Sequence, residues 1–172
     1  MLSQRRTPIL AVIVLVGGAT NVLAAIPGGN EPLQSYCLTH TDGVESRGSR
    51  TYLLVYHARM YPAAPNNCWV IPSVDERLPL ELCPSTRDGK LTVRVLWQGE
   101  AQAGAEITAD LAGRKRVEGR CDGTGDISVD ASEPGLYTFR SKQVEKLAGE
   151  RDGKRYTNIV HYSTLVVIIL QP

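Results

Sequence analysis

The sequence predicts an all-β chain, an antiparallel β-sandwich of about seven strands behind a removable export segment. Short runs of β-branched, aromatic and aliphatic residues recur at roughly ten-residue spacing, with glycine and aspartate turns between them. One run, residues 90–97, alternates strictly: Leu91, Val93, Val95 and Trp97 share one face and Thr92 and Arg94 the other. Outside residues 1–24 no stretch carries a helical period.

The chain opens with "MLSQRRTPILAVIVLVGGATNVLAA", in which a basic start (Arg5, Arg6) leads through apolar Ile9 to Val16 to small residues ending at Ala24. That order reads residues 1–24 as a signal peptide cleaved after Ala24. Its strongly apolar part is about half of the ~20 residues a spanning helix needs. Membrane contact is therefore expected only through this segment if it stays uncleaved, and the mature chain is expected to be exported, periplasmic or extracellular.

Residues 25–77 read as a loop-rich part with one or two strands. Glycine-rich and polar sequence runs to residue 50, with a short strand over 33–39 and little to offer a core. "TYLLVYHA", residues 51–58, is a strand with both faces covered. Four prolines between residues 59 and 79 exclude a helix and make that stretch an ordered loop.

Residues 78–172 read as the sandwich core. "LPLELCP" is a short strand ending at Pro84, and Asp88-Gly89 turns the chain into the alternating run described above. "AEITADLA" points Ala105, Ile107 and Ala109 inward. "RCDGTGDISVD" is a strand, a glycine-rich hairpin turn and another strand. "PGLYTFRSKQVE" sets Leu136, Thr138 and Arg140 against Tyr137, Phe139 and Ser141. "ERDGKR", residues 150–155, is a solvated charged hairpin. The closing "YTNIVHYSTLVVIIL" is apolar on both faces from Leu165 onward, which places it in the middle of a sheet or under a covering loop.

With 19 basic and 18 acidic side chains the charge is nearly balanced, so the composition has no footprint for nucleic acid or an anionic membrane. The four cysteines, Cys37, Cys68, Cys83 and Cys121, are even in number and widely spaced in an exported chain. Two disulfides are expected, with all three pairings open. No C-x-x-C pair suggests a zinc ribbon or a thioredoxin-type site.

Four phrases of the carboxy-terminal half carry a resemblance: Gly99 to Glu106, Asp122 to Gly125, Pro134 to Tyr137, and His161 to Leu165 behind a Gly-Glu-x-Asp-Gly-Lys-x-Tyr loop. In order and spacing this half resembles a family of exported bacterial β-sandwich domains of unknown function, some of whose members accompany nickel and cobalt uptake systems. More broadly it is similar to carboxypeptidase-regulatory and transthyretin-like sandwiches, in which such phrases occur without catalysis. The match covers about half the mature chain; residues 25–77 depart from the pattern in their cysteines and proline-rich loop. The resemblance implies an immunoglobulin-like or transthyretin-like sandwich, a partner that is an envelope or transporter protein, and nickel or cobalt as the ion concerned.

His161 is the first candidate residue. Ile159 and Ser163 share its face, so the ring begins a face that soon turns apolar. Two readings stand side by side. The ring anchors the strand to its preceding hairpin, or it binds a transition metal with His57, His40 or carboxylates converging on it. Asp122 and Asp126 could offer oxygens to calcium, but the distal glutamate of the calcium loop is missing and a turn accounts for them. Ser163 lies two residues from His161 on the same strand face, yet no oriented acid follows from the sequence, and no nucleophile-elbow phrase is present. The expected function is a non-catalytic binding module of the cell envelope, its sharpest form a transient handler of nickel or cobalt. A structural or adhesion-type envelope domain comes second, and a small hydrolase third.

Overall fold

The computed structural model of the protein describes residues 13–16, 19–22, 36–61, 78–113 and 116–170. These are all-β, with no helix among them. The chain divides into two compact units, 1–32 and 33–172. In the first, β1 (Ile13–Val16) and β2 (Ala19–Val22) pair antiparallel, Ile13 opposite Val22. Both strands fall inside the stretch read as the export segment.

The second unit is built on a six-stranded sheet and a smaller one. The larger comprises β3 (Tyr36–Arg47), β4 (Arg50–Tyr61), β8 (Glu106–Asp110), β9 (Val117–Arg120), β11 (Gly135–Glu145) and β14 (Asn158–Ile169), in the order β3-β4-β14-β11-β8-β9. The smaller runs β10-β6-β5, from β5 (Leu80–Arg87), β6 (Lys90–Trp97) and β10 (Asp126–Asp130), with β7 (Glu100–Ala101) added to β6. A separate hairpin joins β12 (Gly149–Arg151) to β13 (Lys154–Tyr156), where the charged hairpin was expected. The count of strands exceeds the seven expected because several are only two to five residues long.

The two-residue period decides what is buried. Leu91, Val93 and Val95 of β6 and Leu80 and Leu82 of β5 meet Tyr137 and Phe139 of β11 and Leu165 and Val167 of β14 in one apolar cluster. Each such side chain withdrawn from water contributes roughly 1.5–3 kcal/mol. Leu165 and Val167 face this cluster while Val166, on the opposite face of β14, is also buried. That two-sided apolarity suits the strand's place between β4 and β11.

Several expectations are corrected. The larger sheet is mixed rather than antiparallel, because β14 runs parallel to β4 with Tyr162 opposite Tyr56. A parallel neighbour needs a long crossover, and the whole smaller sheet lies between these two strands in sequence. Residues 36–47, read mostly as loop, form an edge strand. A bulge between Thr41 and Val44 absorbs Asp42-Gly43, and none of its described side chains is buried, so polar composition did not betray it. Strand β5 does not stop at Pro84 but runs through it to Arg87; β5 is an edge, where a residue without an N–H is tolerated. Asp122 to Gly125 is no hairpin turn, since β9 pairs with β8 in the larger sheet and β10 with β6 in the smaller. It is a corner that carries the chain from one layer to the other.

The two expected disulfides are not supported. Among the described residues no disulfide forms, with Cys37 on β3, Cys83 on β5 and Cys121 in the corner between layers. Cys121 is a buried free thiol packed into the core cluster. Burial, then the nearby Asp122 and Asp126 carboxylates, push its pKa up. Cys68 and the proline-rich loop lie outside the described residues.

Candidate functional site: a buried histidine pair

Along β4 the inward positions are Leu53, Val55, His57, Arg59 and Tyr61; along β14 they are His161, Ser163, Leu165, Val167 and Ile169. Parallel pairing sets Ser163 beside His57 and His161 beside Val55. The two histidines therefore sit diagonally on adjacent strands and on one face. His57 is 2% and His161 6% exposed. Pairs 104 residues apart in sequence meet here: His57 Nε2 lies 3.1 Å from His161 Nδ1.

The rings are 7° from parallel with centroids 5.4 Å apart. That separation equals the N···N distance extended by the two ring radii, so the rings share a line and meet edge to edge across a hydrogen bond rather than stacking face to face. The chain of contacts continues at both ends. His161 Nε2 is 3.1 Å from Glu145 Oε2 at the end of β11, and His57 Nδ1 is 3.3 Å from Thr39 Oγ1 on β3. Trp97, at the end of β6, packs its ring against His161 at 4.9 Å, edge to face.

Proton accounting orders this chain. An ionised carboxylate only accepts, so His161 Nε2–H donates to Glu145 and His161 Nδ1 accepts from His57 Nε2–H. His57 Nδ1 then accepts from the Thr39 hydroxyl. With both rings neutral, every ring nitrogen has a partner. Burial and, after it, the neighbouring His161 push the His57 pKa down to about 4, because a positive charge on the ring is poorly solvated here.

One step further along β4, Arg59 pairs with Glu81 of β5 at 3.2 Å, with side chains 3% and 2% exposed. Ser163 is buried beside the histidines, but no hydrogen bond joins it to either ring. The third histidine does not join the site. His40 pairs in register with Tyr56 on the outer face of the sheet, where Tyr56 stacks on Tyr162 at 5.5 Å. Of the two histidines offered as partners for His161, His57 meets it and His40 does not, because odd and even positions of a strand face opposite ways.

Thr39, Glu145 and Trp97 were missed in the sequence. A glutamate at a strand end and a tryptophan at a turn are ordinary surface residues until topology brings them together. Asp122 and Asp126, the calcium candidates, spend their oxygens locally. Asp122 accepts from Thr124 N, Thr124 Oγ1 and Asp126 N, and Asp126 takes both arms of Arg94 at 2.8 Å. These hydrogen bonds, led by Thr124 for Asp122 and Arg94 for Asp126, hold both carboxyls below the usual range.

Among the described residues no group of three or more histidine, cysteine, aspartate or glutamate side chains is arranged to hold a metal ion. No helix among them is long and apolar enough to cross a membrane. No protein-family model matches the chain, and comparison with curated proteins and with solved structures likewise yields no match.

Proposed function

We propose that the protein is a non-catalytic binding module exported to the cell envelope, of immunoglobulin-like or transthyretin-like type, that carries nickel or cobalt transiently for an uptake system. The observation that supports this reading is the approach of His57 to His161 on one strand face, two imidazole donors of the kind these ions favour. The low His57 pKa keeps that ring free of an added proton at neutral pH, and so able to offer a lone pair. An ion would take the place of the proton shared between Nε2 and Nδ1, with the rings parting to receive it. Two protein donors, short of a closed ligand set, suit cargo that is handed on rather than a resident cofactor.

Calorimetric titration of the protein with nickel, cobalt, copper and zinc tests this, beside His57→Ala and His161→Ala. Saturable binding that releases protons and disappears in both variants is the expected result. Absence of binding to the unaltered protein would sink the metal reading.

A structural envelope domain is the second reading, favoured by the complete hydrogen bonding of the pair. As a brace between β3, β4, β14 and β11, the chain of four groups contributes its last link through His161. On this reading His161→Ala lowers stability by about 1 kcal/mol without any change in ion binding, and an unchanged melting temperature counts against it.

A further inference from the structure

The opposite face of the larger sheet carries a groove that the histidine pair does not use. It is about 550 Å³ in volume and lies where the β3–β4 hairpin ends beside β14 and β11. Its floor is aromatic and amide: Tyr52, Asn158 and Tyr162, joined by Val160. In register, Asn158 pairs with Tyr52 and Lys142 with Tyr162, so these side chains form one continuous patch across three strands. Arg47 and Arg50, opposite one another at the hairpin end, stand on one side, and Lys142 on the other.

None of these three cations has an ion-pair partner among the described residues, whereas Arg94, Arg116, Arg120 and Arg140 are all paired. Two acids of β3, Asp42 and Glu45, act on Tyr56 beside the groove, with Glu45 opposite Tyr52, but neither lines it, whereas all three cations do. In a chain of net charge +1 this is a local excess of positive charge over an aromatic floor.

We propose that this groove binds an acidic saccharide chain, its sugar rings lying on Tyr52 and Tyr162 and its carboxylate or sulfate groups meeting Arg47, Arg50 and Lys142. Charge complementarity demands an anion. The arrangement selects the polymer: Lys142 lies level with Tyr56 through Tyr162, two strands across and six residues along from Arg50, and that offset of roughly 20 Å along the strands is too far for one small anion to touch both cationic ends. Tyrosine presents an apolar face and a polar hydroxyl together, which suits a sugar ring, and arginine grips planar acids with paired hydrogen bonds. An extended peptide is the poorer fit. Peptides add to sheets through an open edge, and β4, β14 and β11 are each paired on both sides, leaving only side chains to offer.

The test is calorimetric titration of the full chain at low salt with polygalacturonate, a heparin-type sulfated chain, neutral dextran and poly-glutamate. Saturable binding of an acidic saccharide is expected, weakened by added salt, with dextran inert. The uronate and sulfate arms show which acid the groove takes. Arg50→Ala combined with Lys142→Ala, both exposed, should weaken binding about tenfold or more, as should Tyr162→Ala. Arg87→Ala with Lys90→Ala, an equal loss of charge on the smaller sheet, should leave binding unchanged. No saccharide binding, equal loss in the control variant, or poly-glutamate bound as tightly as the saccharides would each overturn the proposal. Should Tyr162→Ala lower the melting temperature, the charge variants decide alone.

Discussion

His57 shows how burial turns a routine side chain into a pH-dependent one. Its pKa near 4 in the fold compares with about 6.5 in an unfolded chain. Between these values the unfolded state holds the extra proton and the folded state does not, so folding is favoured by rising pH. The full benefit is present above pH 6.5 and is lost as pH falls toward 4, up to roughly 3 kcal/mol for an unscreened site. Denaturant unfolding from pH 7.5 to 4 should show this slope in the unaltered protein and a flatter one in His57→Asn, which keeps polar groups but cannot titrate. Parallel curves would remove His57 as the cause. Of this site, His161 with its face, and His57 as one candidate partner, were legible in the sequence, but not their contact. The local pattern around residue 161 fixes which neighbours share its side of the strand, but says nothing of a ring on another strand 104 positions away or of a carboxylate at the end of a third.

Turns were legible at Asp88-Gly89 and in the 150–155 hairpin, but Gln98-Gly99, where β6 turns back into β7, was read only as part of a longer connection, and the corner joining two layers was misread. Asp88-Gly89, Gln98-Gly99 and Asp152-Gly153 all have positive φ at both positions and close tight hairpins. Asp122 to Gly125 has similar composition, yet it bends between sheets. At Gly125 φ is +81°, and an added Cβ would stand 2.9 Å from Gln102 N; at Gly123 nothing lies within 4 Å. Gly125→Ala should therefore destabilise by about 2 kcal/mol, from left-handed strain and a backbone collision that cannot relax cheaply. Gly123→Ala should be nearly neutral. Thermal melts of the two variants side by side check this, and equal shifts would discount the corner's geometry. Alternation made β6 and β11 readable because each has one wet and one dry face. Strand β3 was readable only at its start, within 33–39, since an edge strand with none of its described side chains buried leaves no periodic trace.

Sheet order is the part of the architecture that local sequence withholds. Two-sided apolarity placed β14 at the centre of a sheet, but not its parallel alignment with β4, which depends on where the chain travels in between. The 33–172 unit holds β3 to β14 together, so a chain beginning at residue 33 should melt cooperatively. One stopping at residue 157 should not, because β4 and β11 would each lose a neighbour and the larger sheet would split. A cooperative transition in the shorter chain would show that β14 is dispensable.

The central strand is also the one made after all its companions. While a ribosome is still adding residues before Asn158, the halves of the larger sheet have no seam to close on, and the apolar faces that β14 will cover stay open. Synthesis order thus acts as a timer. The nascent chain stays open along that seam, and the larger sheet closes only when residues 158–169 arrive.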